Sequence, residues 1–279
     1  MPDQKKQVVF ISGASSGIGN ACAAFLAKKG YIVYGTSRKP EKAQRKADEF
    51  FELISMDLND TASIQAAVKL VLEKEGRIDV LLCNAGMGIG GPAEESPLED
   101  IRRQMDTNFL GAVQLIQAAL PAMRQAGSGR ILVTSSIGGR IGLPFQAFYS
   151  ASKFALEGFV EALRMEIRAF GIQAALIEPG DFRSGFTEAR QKASALPGSP
   201  YETAAGKALE KAERDERNGG YPIDIARLVL ALIRAKRLSV RYTVGSLGQR
   251  LAAAIKPILP SRLAEFAIMA YYGLAGRKP

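Results

Sequence analysis

The chain has no histidine and no tryptophan, and only two of its 279 residues are cysteine, Cys22 and Cys83. The lack of histidine removes the commonest general base and the commonest metal ligand. Acid–base chemistry therefore falls to Tyr, Lys, Asp or Glu, and no metal site is expected. Each cysteine lies in an apolar stretch and reads as a core thiol. No run reaches the roughly 18 apolar residues of a membrane-spanning helix. Met1–Gln7 is polar, and the apolar run after it breaks at Ser12, which does not read as a signal peptide. A cytoplasmic protein is expected. Acid is scarce in one place only. From Arg234 to Pro279, nine Lys and Arg face one acid, Glu265, a balance of +8. The first 233 residues carry 28 bases and 27 acids, so the net charge of +9 belongs to the tail.

Apolar residues make up 47% of the chain, enough to fill a core. Short β-rich runs alternate with helical ones: strands over Val8–Ser12, Tyr31–Thr36, Glu52–Met56, Ile78–Cys83, Arg130–Ser135 and Ile172–Ile177. Helices are predicted over Gly17–Lys29, Glu41–Phe50, Ala62–Lys74, Arg102–Gln125, Tyr149–Phe170 and Ile223–Arg234. In the two longest, Phe109, Val113, Ile116, Leu120, Met123 and then Ala155, Phe159, Leu163, Ile167 recur at helical steps, one buried stripe each. This succession implies an α/β fold, a single Rossmann-type doubly wound parallel sheet with helices on both faces. Its ligand belongs outside the carboxyl ends of the strands. Residues 1–240 form the catalytic domain, and the irregular stretch over about 181–222, with helices over Ser184–Gln191 and Thr203–Asn218 and a turn over Leu196–Pro200, reads as a substrate lid. Residues 241–279 read as a basic tail with amphipathic helices over Leu247–Ile258 and Arg262–Leu274.

Ser12-Gly13-Ala14-Ser15-Ser16-Gly17-Ile18-Gly19 joins the first strand to the first helix. Small residues let the backbone turn sharply and approach a pyrophosphate, which the free N–H groups of a helix start attract. Gly13, Ser15, Ser16, Gly17, Ile18 and Gly19 are thus candidates for a dinucleotide cradle. The second strand ends Thr36-Ser37-Arg38-Lys39, without the acid that would bind ribose hydroxyls. Arg38 suits a 2′-phosphate, so NADP(H) is the expected cofactor and NAD(H) the alternative.

Tyr149 and Lys153 are four apart on one predicted helix and share a face. A cation about 4 Å from the phenol, at an effective dielectric near 20, contributes about 4 kcal/mol. At about 1.36 kcal/mol per pH unit, that would bring a tyrosine of pKa about 10 close to 7. The pair is then a sensible general acid and base.

Taken together, these elements resemble the short-chain dehydrogenase/reductase family. The resemblance rests on the Ser12–Gly19 loop, Asn84-Ala85-Gly86, Asn108, Ser136, Tyr149 with Lys153, and Pro179-Gly180, over about residues 7–185. It implies that Tyr149 exchanges the substrate proton and that Ser136 bonds the reacting oxygen, with neighbouring Ser135 as its competitor. Lys153 would hold the nicotinamide ribose, and Asn108 a water linked to it. Asp57 and Leu58 would frame the adenine, Asn84, Ala85 and Gly86 the adenosine side, and Pro179, Gly180, Phe182 and Ser184 the nicotinamide end. Ser12 and Ser184 stand where the family usually has threonine, and both keep the hydroxyl.

Val80–Gly86 and Phe148–Gly158 resemble the branch of 17β-hydroxysteroid dehydrogenase type 1 and the retinol dehydrogenases. That implies an elongated apolar ketone, aldehyde or alcohol, met by Ile137, Leu143, Phe182 and Phe186 beside Ser136 and Tyr149. The steroid enzyme anchors its substrate with a lid histidine, which this chain lacks. The resemblance also implies a homodimer or homotetramer paired through the two long helices. The competing functions are a silent cofactor sensor and a membrane-surface binding protein on the same scaffold. The first conflicts with the presence of both Tyr149 and Lys153. The basic tail reads either as a cover over the cleft or a neighbouring subunit, or as a surface for anionic lipid. Nothing resembles a nucleic-acid reading module.

Overall fold

The computed structural model describes residues 6–43, 50–192 and 198–276. In chain order its strands are β1 Val8–Ile11, β2 Ile32–Ser37, β3 Glu52–Ser55, β4 Val80–Cys83, β5 Ile89–Gly90, β6 Gly129–Thr134, β7 Ile172–Pro179, β8 Gln191–Lys192 and β9 Arg241–Val244. The helices are α1 Gly17–Lys28, α2 Thr61–Glu75, α3 Leu98–Met105, α4 Gly111–Ala126, α5 Ala147–Ile167, α6 Phe186–Ala189, α7 Glu202–Arg217, α8 Pro222–Arg234, α9 Leu247–Ile255 and α10 Ser261–Tyr271.

Among the described residues the main sheet is parallel throughout, in the order β3-β2-β1-β4-β6-β7-β9. Its central strands β1 and β4 are apolar at every position because both faces are covered. Val8 and Phe10 of β1 join the core under α2, α4 and α5, while Val9 and Ile11 join the core under α1 and α8. The chain runs outward from β1 to β3 and returns to β4 on the other side. The crevice therefore opens at the carboxyl ends of β1 and β4, the switch point where such sheets take ligands. The expected doubly wound sheet with helices on both faces is what the chain forms.

Several local expectations change. β9 lies inside the stretch read as a helical tail, yet it pairs with β7 as an edge strand. Its four half-buried residues carry no period that marks a strand. The helix expected over Arg102–Gln125 starts earlier, at Leu98, and a π-helical turn over Asp106–Leu110 interrupts it. The extra residue rotates the core face: Ala112, Leu115, Ile116, Ala119 and Met123 are buried, while Phe109, Val113 and Leu120 lie at its margin. The core face of α5 is likewise Leu156, Val160, Leu163 and Ile167, with Ala155 and Phe159 half-buried. Near the predicted polar helix at Glu41–Phe50, Pro40–Lys42 form one 3-10 turn, and residues 44–49 lie outside the described residues. Residues 193–197 of the expected lid, with part of its Leu196–Pro200 turn, also lie outside them. The helix expected over Ser184–Gln191 is the single turn α6, followed by β8.

Candidate active site

The loop after β1 meets the switch point with almost no side-chain bulk. Gly13 and Gly17 take φ of +70° and +57°, where other residues are strained. A Cβ on Gly13 would lie 2.8 Å from Ala85, and one on Gly19 would lie 2.0 Å from the Gly13 carbonyl. Ser12 is buried, and its hydroxyl accepts from the backbone N–H groups of Asn84 (3.0 Å) and Ala85 (3.1 Å). The Asn84 amide donates back to the Ser12 and Gly13 carbonyls. The serine thus does the work of the expected threonine hydroxyl. Thr36 at the end of β2 ties down the same loop, accepting from Gly13 N–H. At the start of α1, Ser16 makes no side-chain cap, so the first N–H groups remain available to an anion. These features fit a dinucleotide. Arg38 and Lys39 are exposed where β2 ends, and Asp57 is half-buried after β3. Leu58 is buried, with its side chain in the core beside Gly111.

The reacting groups gather after β6 and on α5. Ser136 caps a 3-10 turn, accepting from Gly138 N–H at 3.0 Å, and its hydroxyl lies 3.5 Å from the Pro179 carbonyl. A Cβ on Gly138 would meet Leu143 at 3.1 Å, the Tyr149 ring at 3.2 Å and Ser136 Oγ at 3.4 Å, so these three converge on one spot. Ser135 does not share it. Its hydroxyl faces Gly139 on the side of Glu157. Lys153 is buried and donates to the Thr134 carbonyl at 2.9 Å. Asn108, carried inward by the π-helical turn, accepts from Met87 N–H at 2.8 Å and donates to the Met87 carbonyl and to Ser152 Oγ. Ser152 in turn donates to the Tyr149 carbonyl at 2.7 Å. Gln104 on α3 brackets the same strand, with bonds to Ile89 N–H and the Met87 carbonyl.

The expected lowering of Tyr149 by Lys153 is not what this arrangement produces. Lys153 Nζ is 5.8 Å from the ring centroid and is bonded elsewhere. Burial pushes the Tyr149 phenol up, the Ser136 hydrogen bond pulls against it, and Glu216, Arg190 and Asp181 add smaller opposed effects. Burial also lowers Lys153 to about 8, against the pull of Glu157 one turn on. The lysine is a weakened cation because it is itself desolvated.

Beneath Lys153 lies a charge network that sequence reading missed. Glu157 and Glu178 are buried, and Arg241 of β9 reaches both, at 2.7 and 3.2 Å. Arg140 and the Thr243 hydroxyl also bond Glu178, at 3.3 and 2.6 Å. As sequence, Arg241 was one more base in a basic tail; only β9 pairing beside β7 reveals its task.

The segment expected to be a lid packs against the tyrosine: the Phe186 and Tyr149 rings are tilted at 54° with centroids 5.6 Å apart, and a Cβ on Gly88 would touch the Phe186 ring at 2.7 Å. Ile137 and Leu143 are half-buried beside them. The Phe182 ring is buried in the α1–α8 core close to Gly220, to which its backbone forms a β-bridge. Gly180 packs on Gln249 of α9, and the Ser184 carbonyl lies 2.3 Å from where a Gly17 Cβ would be, closing the lid start over the cofactor loop. Among the described residues no metal-holding cluster occurs.

Known proteins show the same organisation. The family model described as short chain dehydrogenase matches residues 7–195. A 3-ketodihydrosphingosine reductase of Bacteroides thetaiotaomicron is 42% identical over 270 residues, 96% of this chain and 98% of that protein. Estradiol 17-beta-dehydrogenase 1 of Rattus norvegicus is 38% identical over 84% of this chain and 72% of its own. The crystal structure of a short-chain dehydrogenase from Streptomyces avermitilis superposes with a TM-score of 0.80 at 30% identity, covering 96% and 98% of the two chains. A metagenomic short-chain oxidoreductase in complex with NADP gives 0.68 at 28% identity, covering 85% and 96%.

Proposed function

The chain belongs to the short-chain dehydrogenase family of oxidoreductases, and on that premise we propose that it reduces a long-chain, lipid-like ketone with NADPH. The observation that carries the chemistry is the convergence of Ser136 and Tyr149 on one point, with Lys153 buried behind them. A bound nicotinamide supplies the hydride. Ser136 and Tyr149 hold the carbonyl oxygen, and the Tyr149 hydroxyl passes its proton to that oxygen. A phenol that burial keeps protonated suits a proton donor, which favours the reducing direction. Lys153 and the Asn108–Ser152 bonds position the tyrosine and its helix. The substrate class is supported by the 3-ketodihydrosphingosine reductase relative and by the lack of any histidine to anchor a steroid. The phosphate form of the cofactor is supported by exposed Arg38 at a strand end without an acid. The test is a panel of long-chain ketones with NADPH and NADH, wild type against Arg38→Ala. The expected result is NADPH-dependent reduction whose KM for NADPH rises about tenfold or more in the variant, with NADH unaffected. Equal effects on both cofactors would overturn the assignment of Arg38.

The tail supports a lipid setting. Leu247, Ile258, Leu263 and Phe266 are exposed by 69, 80, 59 and 64%, within the same segment as Arg250, Lys256 and Arg262. Its inner side is engaged, through Gln249 with Asp181 and Tyr271 with Asp215. The outer side suits the surface of an anionic bilayer. Co-sedimentation with phosphatidylglycerol vesicles, reduced in an Ile258→Ser/Phe266→Ser variant, is the expected outcome; equal recovery of both proteins contradicts it. Exposed Leu110, at the end of the π-helical turn before α4, and Phe154 and Met165 on α5 support a second copy of the chain there. Among the described residues no helix is long and apolar enough to cross a membrane.

A further inference from the structure

The lid holds a charged group that the proton-transfer chemistry does not use. Arg190 follows α6 and is buried. One of its nitrogens, Nη2, pairs with Glu216 of α7, whose other oxygen accepts from the Thr187 hydroxyl. Its remaining donors, Nε and Nη1, are buried with no acceptor. The guanidinium lies 5.4 Å from the Phe186 ring centroid. The guanidinium carrying the two spare donors and the Tyr149 ring therefore both pack against Phe186. Arginine cannot shed its charge, so buried unpaired N–H groups here call for an acceptor.

The surroundings select what kind. Glu216 already balances the charge of Arg190. Asp181 and Asp215 belong to the same cluster as Glu216, with Lys211 bonded to Asp215, so carboxylates already surround the ion pair. An anionic group such as a carboxylate or phosphate is disfavoured, and a neutral oxygen is favoured. We propose that Arg190, held by Glu216, is a substrate-specificity residue whose Nε and Nη1 donate to a hydroxyl oxygen in a polar head a few bonds from the reacting carbonyl. The proposal rests on the reductase reading above. It divides the substrate between an apolar chain and a hydroxylated end, with the hydroxylated end facing the lid.

The test compares a long-chain β-hydroxy ketone with the same ketone lacking the hydroxyl, both with NADPH. Wild type is expected to prefer the hydroxylated ketone at least tenfold in kcat/KM. Arg190→Met leaves half-buried Glu216 without its cation, so the decisive variant is Arg190→Met/Glu216→Met, which removes both charges. In it the preference falls below about threefold, the loss appearing mainly in KM for the hydroxylated ketone, with the melting curve kept as a check on folding. Equal kcat/KM for both ketones in wild type, or a preference that survives in the folded double variant, overturns the subsite alone. Failure of wild type to reduce either ketone overturns the reductase reading and the subsite with it.

Discussion

The region around β1 and β4 and the region around β6, β7 and β9 build one crevice by opposite means. In the first, Gly13, Gly17 and Gly19 leave out side chains so that backbone can meet backbone, and neutral bonds from Ser12, Thr36 and Asn84 hold the loop. In the second, the buried charges Lys153, Glu157 and Glu178 are packed beside Ser136 and Tyr149, with half-buried Arg140 and Arg241 as counter-ions. A site for a large anionic ligand needs room and exposed N–H groups. A site that moves a proton needs its proton-carrying groups held in place with their charges balanced. The first region should therefore fail when one carbon is added, and the second when one charge is removed.

The largest effect is expected at Arg241. Arg241→Met leaves buried Glu157 without its cation, while Glu178 keeps Arg140 and Thr243, and loss of one partner from a buried ionic group costs about 3–5 kcal/mol. Urea unfolding should show this as a lower midpoint with an unchanged slope. A cost like that of an exposed ion pair, below about 1 kcal/mol, would break the contrast.

Next is the pH dependence of Lys153. Its folded pKa, about 8, is below its unfolded value near 10.5. Below pH 8 both states hold the proton, and the folded state bears the cost of the buried cation. Between about 8 and 10.5 the unfolded chain binds more protons, so stability rises with pH over that window. At about 1.36 kcal/mol per pH unit this is about 3 kcal/mol. The difference between wild type and Lys153→Met, followed by unfolding at pH 7.5 and 10.5, should move by that order. A difference that does not move with pH would place the lysine in a solvated setting.

Smallest in stability is Gly19→Ala. The added carbon meets the Gly13 carbonyl, and overpacking of this kind costs about 1–3 kcal/mol. Its sharper sign is weaker NADPH binding, measured by fluorescence titration, since the loop that shifts is the one that would cradle the phosphates. Binding equal to wild type would show that the glycine serves only the fold.

The first region was largely legible in the sequence, because its determinants are local. A glycine-rich turn between an apolar strand and a helix carries its meaning within eight residues. Tyr149 and Lys153 were named from their helical spacing, and Ser136 and Asn108 through a family resemblance. The placement of Asn108 on a π-helical turn, the rotated stripes of α4 and α5, and the burial of Leu58 and Phe182 were not visible. Each depends on which neighbour an element meets, not on its own period. The counter-ion Arg241 is the plainest case. Its partners lie 84 and 63 residues away in sequence, and its own strand shows no alternation. Even the Tyr149–Lys153 spacing misled about energetics, because a helical step says nothing about the Thr134 carbonyl that holds the lysine.

The account stands most directly on Tyr149 as proton donor. Tyr149→Phe removes one oxygen from a ring already packed against Phe186 and should leave the lid and the glycine loop in place. Reduction of a long-chain ketone by the variant, measured beside its affinity for NADPH, is the decisive experiment. We expect kcat to fall by about 10²–10⁴ with NADPH affinity within about twofold of wild type. Turnover within tenfold of wild type would contradict the assignment of Tyr149.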